Sequence, residues 1–242
     1  MASIGEQSFY LPHSQLQEIQ ILEKLQSTET SEIFRVLFHN LEYCLKVFHI
    51  GDDPGLADDS RDLCRYRCES QVYQALHVRG ACRLGIVPYF YGLFDSFDPE
   101  MLGPDLDNFD SDKFFPCVIL LEYLPNAISF KSASLAPESV SMVVDGLKTI
   151  HSTGVIHNDA HPKNVLTVPE TRSQRVVWID FDISIVFSAK GTRGLLNLND
   201  EAEWEVSIFE SRARKMSWEW HALLSGVQLV MAALIVVYHF WK

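Results

Sequence analysis

The residues best suited to chemistry lie in two short segments in the second half of the chain. The first is HNDAHPKN, residues 157–164, in which Asp159 precedes Asn164 by five positions; the second is VVWIDFD, residues 176–182, which contains Asp180. Phosphoryl transfer needs a carboxylate near the attacking hydroxyl, and an amide oxygen and a second carboxylate on magnesium. These three side chains have the required types, and the five-residue spacing lets one loop present the first two to the same cleft.

Regular elements are predicted on both sides of these segments. An amphipathic pattern predicts a helix from Pro137 to Ser152, with valine, leucine and isoleucine on one face. A polar loop at residues 157–164 follows, and residues 165–168 and 175–181 predict a hairpin turned by PETRSQ. Asp180 is therefore expected to close a strand that lies beside the loop.

The first half of the chain predicts a β-rich region with one helix. The runs IFRVLF and EYCLKVF, within residues 33–48, fit two adjacent strands joined by a tight turn. Ser60 is a candidate cap for a helix over residues 61–78, residues 86–94 are typical of a strand, and residues 117–121 predict a strand buried on both faces.

An acidic segment interrupts this region. Residues 95–113 contain seven aspartates and glutamates. Their spacing does not fit a calcium loop, and a run of charge is ordinarily solvated. We therefore interpret this segment as a solvated insertion.

In order and rough spacing, the chain resembles the protein-kinase-like superfamily over residues 20–185. That family's signature contains a strand lysine, a helix glutamate, a His-x-Asp loop with asparagine five residues on, and Asp-Phe-Gly. LKVF at residues 45–48 matches the first and CESQVY at residues 68–73 the second. The resemblance implies an α+β fold of the two-lobed protein-kinase-like type, with a truncated C-terminal lobe.

The resemblance also implies a role for each matched residue. Asp159 would be the catalytic base, and Asn164 and Asp180 would be the magnesium ligands. Lys46 would contact the phosphates of ATP, with Glu69 as its ion-pair partner. ATP and Mg²⁺ are thus the expected cofactors.

The same resemblance implies which groups bind adenine and how the chain divides into lobes. Backbone groups of Glu122 and Leu124 would hold adenine, next to Leu121 at the gatekeeper position. The implied organisation is an N-terminal extension at residues 1–15, an N-terminal lobe at 16–126, a truncated C-terminal lobe at 127–215 and an apolar helix at 216–242.

Departures from the family's pattern bear on the function. The segment that should cover the phosphates, residues 25–33, contains no glycine, so the hydroxyls of its serines and threonines are candidates to substitute. Asp182 stands where the family has glycine; aspartate tolerates positive φ better than most residues. The chain after Asp180 lacks Ala-Pro-Glu and is too short for all the helices that build a peptide platform.

Four functions are compatible with this pattern, the last of which is a plain tail-anchored adaptor that binds no nucleotide. The first is transfer of phosphate from ATP to a Ser/Thr hydroxyl of a protein. His161, two residues after Asp159, instead resembles small-molecule kinases of the aminoglycoside-phosphotransferase type, whose acceptor is a small-molecule hydroxyl. The third is a pseudokinase, a scaffold module that binds nucleotide or partners without turnover.

Charge and cysteine content narrow the class of protein. The chain has 20 Lys and Arg against 32 Asp and Glu, a formal net charge of −12, which argues against a general nucleic-acid binder. Five scattered cysteines suit free thiols in a reducing compartment. Residues 1–17 lack the basic and apolar regions of a secretory signal, so we expect a cytosolic start.

The last apolar stretch is the uncharged 19-residue run LLSGVQLVMAALIVVYHFW, residues 223–241. As a helix with a rise of ~1.5 Å per residue it would span roughly 28 Å, close to the hydrocarbon core of a bilayer. We expect a single C-terminal membrane anchor, with Arg212, Arg214 and Lys215 and the catalytic domain on the cytosolic side. The alternative is a buried lobe helix in a cytoplasmic protein.

Overall fold

A computed structural model of the chain gives the arrangement of these segments. It describes residues 8–59, 61–130, 137–170, 174–187, 191–193 and 196–216. Within them the strands pair antiparallel in four sheets, with helices between and after the strands. This mixed architecture confirms the predicted α+β class.

A five-stranded sheet forms the first half of the fold, with the order β1-β2-β3-β5-β4. The turn between β2 and β3 consists of His39 and Asn40, both at positive φ, 48° and 61°, as a two-residue type I′ turn requires. The predicted hairpin is therefore confirmed. The five strands are β1 (Gln20–Ser27), β2 (Ser31–Phe38), β3 (Leu41–Ile50), β4 (Phe90–Phe94) and β5 (Phe114–Glu122).

Alternation along β3 divides this sheet into two faces. Leu45 and Val47 lie on what we call the outer face, and Lys46 and Phe48 lie on the inner face. Both faces are covered, which explains why β5 is an almost continuous run of buried residues, as predicted.

The acidic segment covers the outer face, so its interpretation as a solvated insertion is wrong. It contains two short 3₁₀ helices, Pro99–Leu102 and Pro104–Phe109. Six of its seven acidic side chains are exposed, but apolar residues between them are buried against the sheet. These buried residues are Phe97, Leu102, Leu106 and Phe109, which pack with Leu16, Phe34 and Val118.

Helix α1 (Arg65–Val78) packs on the inner face. It begins four residues later than predicted, because residues 61–64 form an extended segment in which Asp62 accepts the amide N–H of Cys64 and pairs with Arg67. The predicted cap, Ser60, lies outside the described residues.

In the second half of the fold, the described residues form two further α-helices and the predicted hairpin. Helix α2 (Pro137–Ser152) has the predicted bounds, and residues 198–216 form helix α3. The indole N–H of Trp178 donates to Val143 O of α2 at 3.1 Å, and its ring lies 5.2 Å from Phe209 of α3. The strands here are β6 (Ile128–Ser129), β7 (Val155–Ile156), β8 (Val165–Pro169), β9 (Gln174–Trp178), β10 (Ile185–Val186), β11 (Thr192–Arg193) and β12 (Leu196–Asn197).

The five cysteines are free thiols, three of them buried, as predicted from their number and spacing.

The apolar run at residues 223–241, the predicted membrane anchor, lies outside the described residues. Of the helices that the structure describes, none combines the length and apolar character that a membrane span requires.

Candidate functional site

Lys46 and Glu69 meet between the inner face of the sheet and α1. The ammonium Nζ of Lys46 lies 2.6 Å from Oε2 of Glu69, and the two residues are only 5% and 1% exposed. The contact forms because Lys46 points toward the inner face and Glu69 lies on the buried side of α1. The predicted ion pair between these residues is confirmed.

Asp180, in the segment after β9, contacts the same lysine. It follows β9 in a left-handed conformation, with φ of 68°, and its Oδ1 lies 3.0 Å from Lys46 Nζ. One buried ammonium therefore bridges two carboxylates that come from different elements. Asp182, at the glycine position of the family pattern, is not among the residues with positive φ; the positive φ falls on Asp180 instead.

Burial and mutual attraction oppose each other in this cluster. Burial raises the pKa of Glu69 to about 7, against the effect of Lys46. Burial alone would lower the pKa of Lys46, but Glu69 and Asp180 raise it above its ordinary value. Burial alone would likewise raise the pKa of Asp180, but Lys46 holds it below its ordinary value. Lys46 and Asp180 are therefore charged at neutral pH.

The loop at residues 157–164 brings Asp159, Lys163 and Asn164 together. The amide Nδ2 of Asn164 donates to Asp159 O at 3.0 Å and to Asp159 Oδ2 at 2.9 Å, and Lys163 Nζ lies 2.9 Å from the same Oδ2. Burial alone would raise the pKa of Asp159, but the hydrogen bonds from Lys163 and Asn164 lower it. Asp159 therefore presents an ionised carboxylate.

Two hydrogen bonds attach this loop to the strand end that carries Asp180. Ile179 N–H donates to Asn164 O at 3.0 Å, and Nε2 of the fully buried His157 donates to Ile179 O at 2.9 Å. His157 also packs against Phe181, with ring centroids 4.7 Å apart. The structure thus brings the two predicted chemical segments side by side.

A buried carboxylate that sequence reasoning missed holds the same loop. Glu205 of α3 is 2% exposed, and it accepts hydrogen bonds from the backbone N–H groups of His157 at 3.1 Å and Asn158 at 2.5 Å. Its Oε2 also lies 2.7 Å from Nε2 of His151 on α2. Nothing in the sequence distinguishes Glu205 from the other acidic residues of α3, because its partners lie some fifty positions away.

The end of β5, where adenine contacts are predicted, is fixed by its neighbours. The carboxylate of Glu122 pairs with Arg175 at 2.6 Å and accepts from Tyr89 N–H at 3.0 Å. The carbonyl of Leu124 accepts from Ala127 N–H at 3.4 Å. The ion pair with Arg175 connects the sheet to β9, and the adenine role of Glu122 and Leu124 stays a prediction.

The glycine-free turn between β1 and β2 uses its hydroxyls internally. The hydroxyl of Thr28 accepts from the N–H groups of Thr30 and Ser31 and donates to Ser31 O at 2.9 Å. Ser27 donates to Glu32 at 3.1 Å. The hydroxyls of Thr30 and Ser31 each lie 3.4 Å from that of Thr28, so all four candidate hydroxyls are engaged in holding the turn.

Comparison with known proteins adds no family assignment. No protein-family model matches the chain, and no curated protein matches it significantly. Over the part of the chain that the structure describes, no cluster of three or more His, Cys, Asp and Glu forms a ready metal site. The function of the site therefore has to be inferred from the geometry of Lys46, Glu69, Asp159, Asn164 and Asp180.

Proposed function

We propose that the protein is an ATP- and Mg²⁺-dependent phosphotransferase of the protein-kinase-like type, with a hydroxyl as phosphate acceptor. The observation that carries the proposal is the buried Lys46, bound to both Glu69 and Asp180, next to the Asp159–Asn164 loop. In this proposal the five-stranded sheet and α1 correspond to the N-terminal lobe, and α2, the loop and α3 to a truncated C-terminal lobe.

The donor atoms at the site fit magnesium. Mg²⁺ prefers oxygen ligands, usually one or two carboxylates with phosphates and water. Asp180 offers an ionised carboxylate, and the Nδ2 group of Asn164 is bound to Asp159, which leaves its Oδ1 as a ligand. The ion would neutralise charge on the transferring phosphate.

Lys46 and Asp159 would serve the nucleotide and the acceptor respectively. Lys46 would keep Glu69 and exchange Asp180 for a phosphate oxygen. Because Lys163 and Asn164 both bind Oδ2 of Asp159, the other oxygen, Oδ1, would accept the proton of the attacking hydroxyl. We propose a Ser/Thr hydroxyl of a protein as the acceptor, with a small-molecule hydroxyl as the alternative.

Nucleotide binding to the full-length protein tests the proposal. Mg-ATP is expected to raise the melting temperature, because a ligand that binds only the folded state stabilises it by mass action. Lys46→Met removes a charge-assisted contact and is expected to weaken Mg-ATP binding by about 10- to 100-fold. Asp180→Asn is expected to remove the dependence of ATP affinity on magnesium.

The matched control for the lysine variant is Lys113→Met, which removes an exposed lysine paired with Asp52; its affinity should equal that of the wild type. An unchanged melting temperature of the wild type at millimolar Mg-ATP would overturn the proposal.

A nucleotide-binding pseudokinase is the second candidate. The glycine-free β1–β2 turn favours it, because Thr28 is engaged within the turn and glycines are what allow backbone amides to approach phosphates. Binding of Mg-ATP without autophosphorylation or phosphate transfer to any protein or small-molecule hydroxyl would support this candidate.

Attachment to a membrane through residues 223–241 is a further part of the proposal. We expect the full-length protein to stay in the membrane pellet after carbonate extraction. Ala232→Arg puts a charge at the centre of the run, where it costs about 2.5–3.5 kcal/mol for insertion, and should move the protein to the soluble fraction. Full recovery of the wild type in the soluble fraction would instead favour the buried helix of a cytoplasmic protein.

A further inference from the structure

An ion pair connects the start of α1 to the residue two positions after Asp180. Nη1 of Arg65 lies 3.3 Å from Oδ2 of Asp182. Arg65 is the first residue of α1, and Asp182 is 19% exposed in its side chain. Because Asp182 lacks positive φ, the backbone does not explain why an acidic residue stands at this position.

The two partners belong to the two elements that supply carboxylates to Lys46. Glu69 follows Arg65 by one helical turn on α1, and Asp180 precedes Asp182 on the strand end. Any shift of α1 relative to this segment would therefore separate Lys46 from one of its two carboxylates.

Two further residues of α1, Cys68 and Tyr73, contact the same segment. Sγ of Cys68 donates to Ser184 O at 3.2 Å, and the ring of Tyr73 meets that of Phe181 at 5.5 Å in a T-shaped contact. Of these connections, only Arg65–Asp182 is an ion pair, and it can be removed without creating a cavity because both side chains are partly exposed.

We propose that Asp182 is a positioning residue that, through Arg65, fastens α1 to the segment after Asp180 and so holds Glu69 and Asp180 on Lys46. Only the expected effect on Mg-ATP binding and catalysis rests on the proposed function. The fastening itself is a property of the protein without nucleotide.

A double-mutant cycle tests this inference. Asp182→Asn keeps the side-chain shape, Arg65→Gln keeps a polar side chain of shorter reach, and each removes one charge. We expect each to weaken Mg-ATP binding by about three- to tenfold, and the double variant to be no weaker than either single variant, since residues in one ion pair are not additive. Asp182→Glu retains the charge and should restore most of the affinity.

Hydrogen exchange of the nucleotide-free protein provides the second readout. Backbone amides at residues 65–69 and 181–187 should exchange faster in both single variants, because local opening is easier once the two elements are unfastened. The matched control is Arg67→Gln, two residues along α1, whose partners are Asp53 and Asp62. This variant should change neither the Mg-ATP affinity nor the exchange of amides at residues 181–187.

The outcomes separate this inference from the proposed function. Absence of Mg-ATP binding in the wild type would contradict the proposed function, whereas the exchange data would still test the fastening. Normal binding in the wild type with additive effects in the cycle, or unchanged exchange at residues 181–187 in both variants, would overturn the inference. A lower melting temperature with unchanged Mg-ATP affinity would also overturn it, because it would show a structural role alone.

Discussion

Asn in place of Asp159 is expected to lower phosphoryl transfer by about 10²- to 10⁴-fold, the usual contribution of a general base. Mg-ATP affinity should change by less than about twofold, because the proposed base acts on the acceptor hydroxyl and not on the nucleotide. Asparagine has almost the same shape as aspartate, so the hydrogen-bonded loop should persist. Single-turnover transfer and equilibrium nucleotide binding, measured on the same preparation, check this result.

The role of Asp159 as base also predicts how phosphoryl transfer depends on pH. The pKa of Asp159 lies below its ordinary value because of Lys163 and Asn164, so the base stays ionised, and transfer is retained, until the pH falls through that lowered value. Lys163→Met removes one cause of the lowering. We therefore expect transfer by this variant to be lost at a higher pH than in the wild type.

Asp58→Asn, at an exposed aspartate far from the loop in sequence, is the matched control for Asp159→Asn. Transfer by Asp159→Asn within twofold of that control would show that Asp159 is not the base.

The success of fold prediction depended on how strongly each strand alternates. β2 and β3 alternate and meet at a two-residue turn, so their hairpin is readable from the sequence. β1 was missed because seven of its eight residues are exposed, which removes the periodic signal. Local patterns thus located strands that bury a face, and could not locate an edge strand that does not.

Errors at α1 and the acidic segment have a common cause. In both places tertiary packing overrides the local signal: Asp62 holds residues before α1 in an extended form, and Phe97, Leu106 and Phe109 bury themselves between charged neighbours. Composition reports the average character of a segment. It does not report which few side chains face the core.

Some residues of the candidate site could be predicted from the sequence, and others could not. Lys46, Glu69 and Asp180 were predicted from a resemblance, and the structure brings their charged groups together. Glu205 and the Arg65–Asp182 pair carry no local signal, because each is defined by a partner far away in sequence. Such residues become visible only when the fold shows which backbone groups or charges they meet.

Loss of the Glu205 carboxylate is expected to have the largest effect on stability. Glu205→Ala would leave two backbone N–H groups, the buried one of His157 and the partly buried one of Asn158, without their acceptor. An unsatisfied buried donor costs about 1–3 kcal/mol, so we expect a loss of about 2–6 kcal/mol, a large fraction of the 5–15 kcal/mol that typically separates folded from unfolded protein. Urea denaturation measures the change.

Glu205→Gln separates the anchoring of the loop from global unfolding. Glutamine retains an oxygen for one backbone N–H, but its amide group cannot accept from the other. We therefore expect a smaller loss of stability, about 1–3 kcal/mol, together with slower phosphoryl transfer at saturating nucleotide, since the loop that carries Asp159 is less well fixed. The matched control is Glu203→Gln, an exposed position on the same helix, where the change should stay within about 0.5 kcal/mol. Equal stability and equal transfer rates in the two variants would show that Glu205 does not anchor the loop, because a buried acceptor of two backbone amides cannot lose one of them without cost.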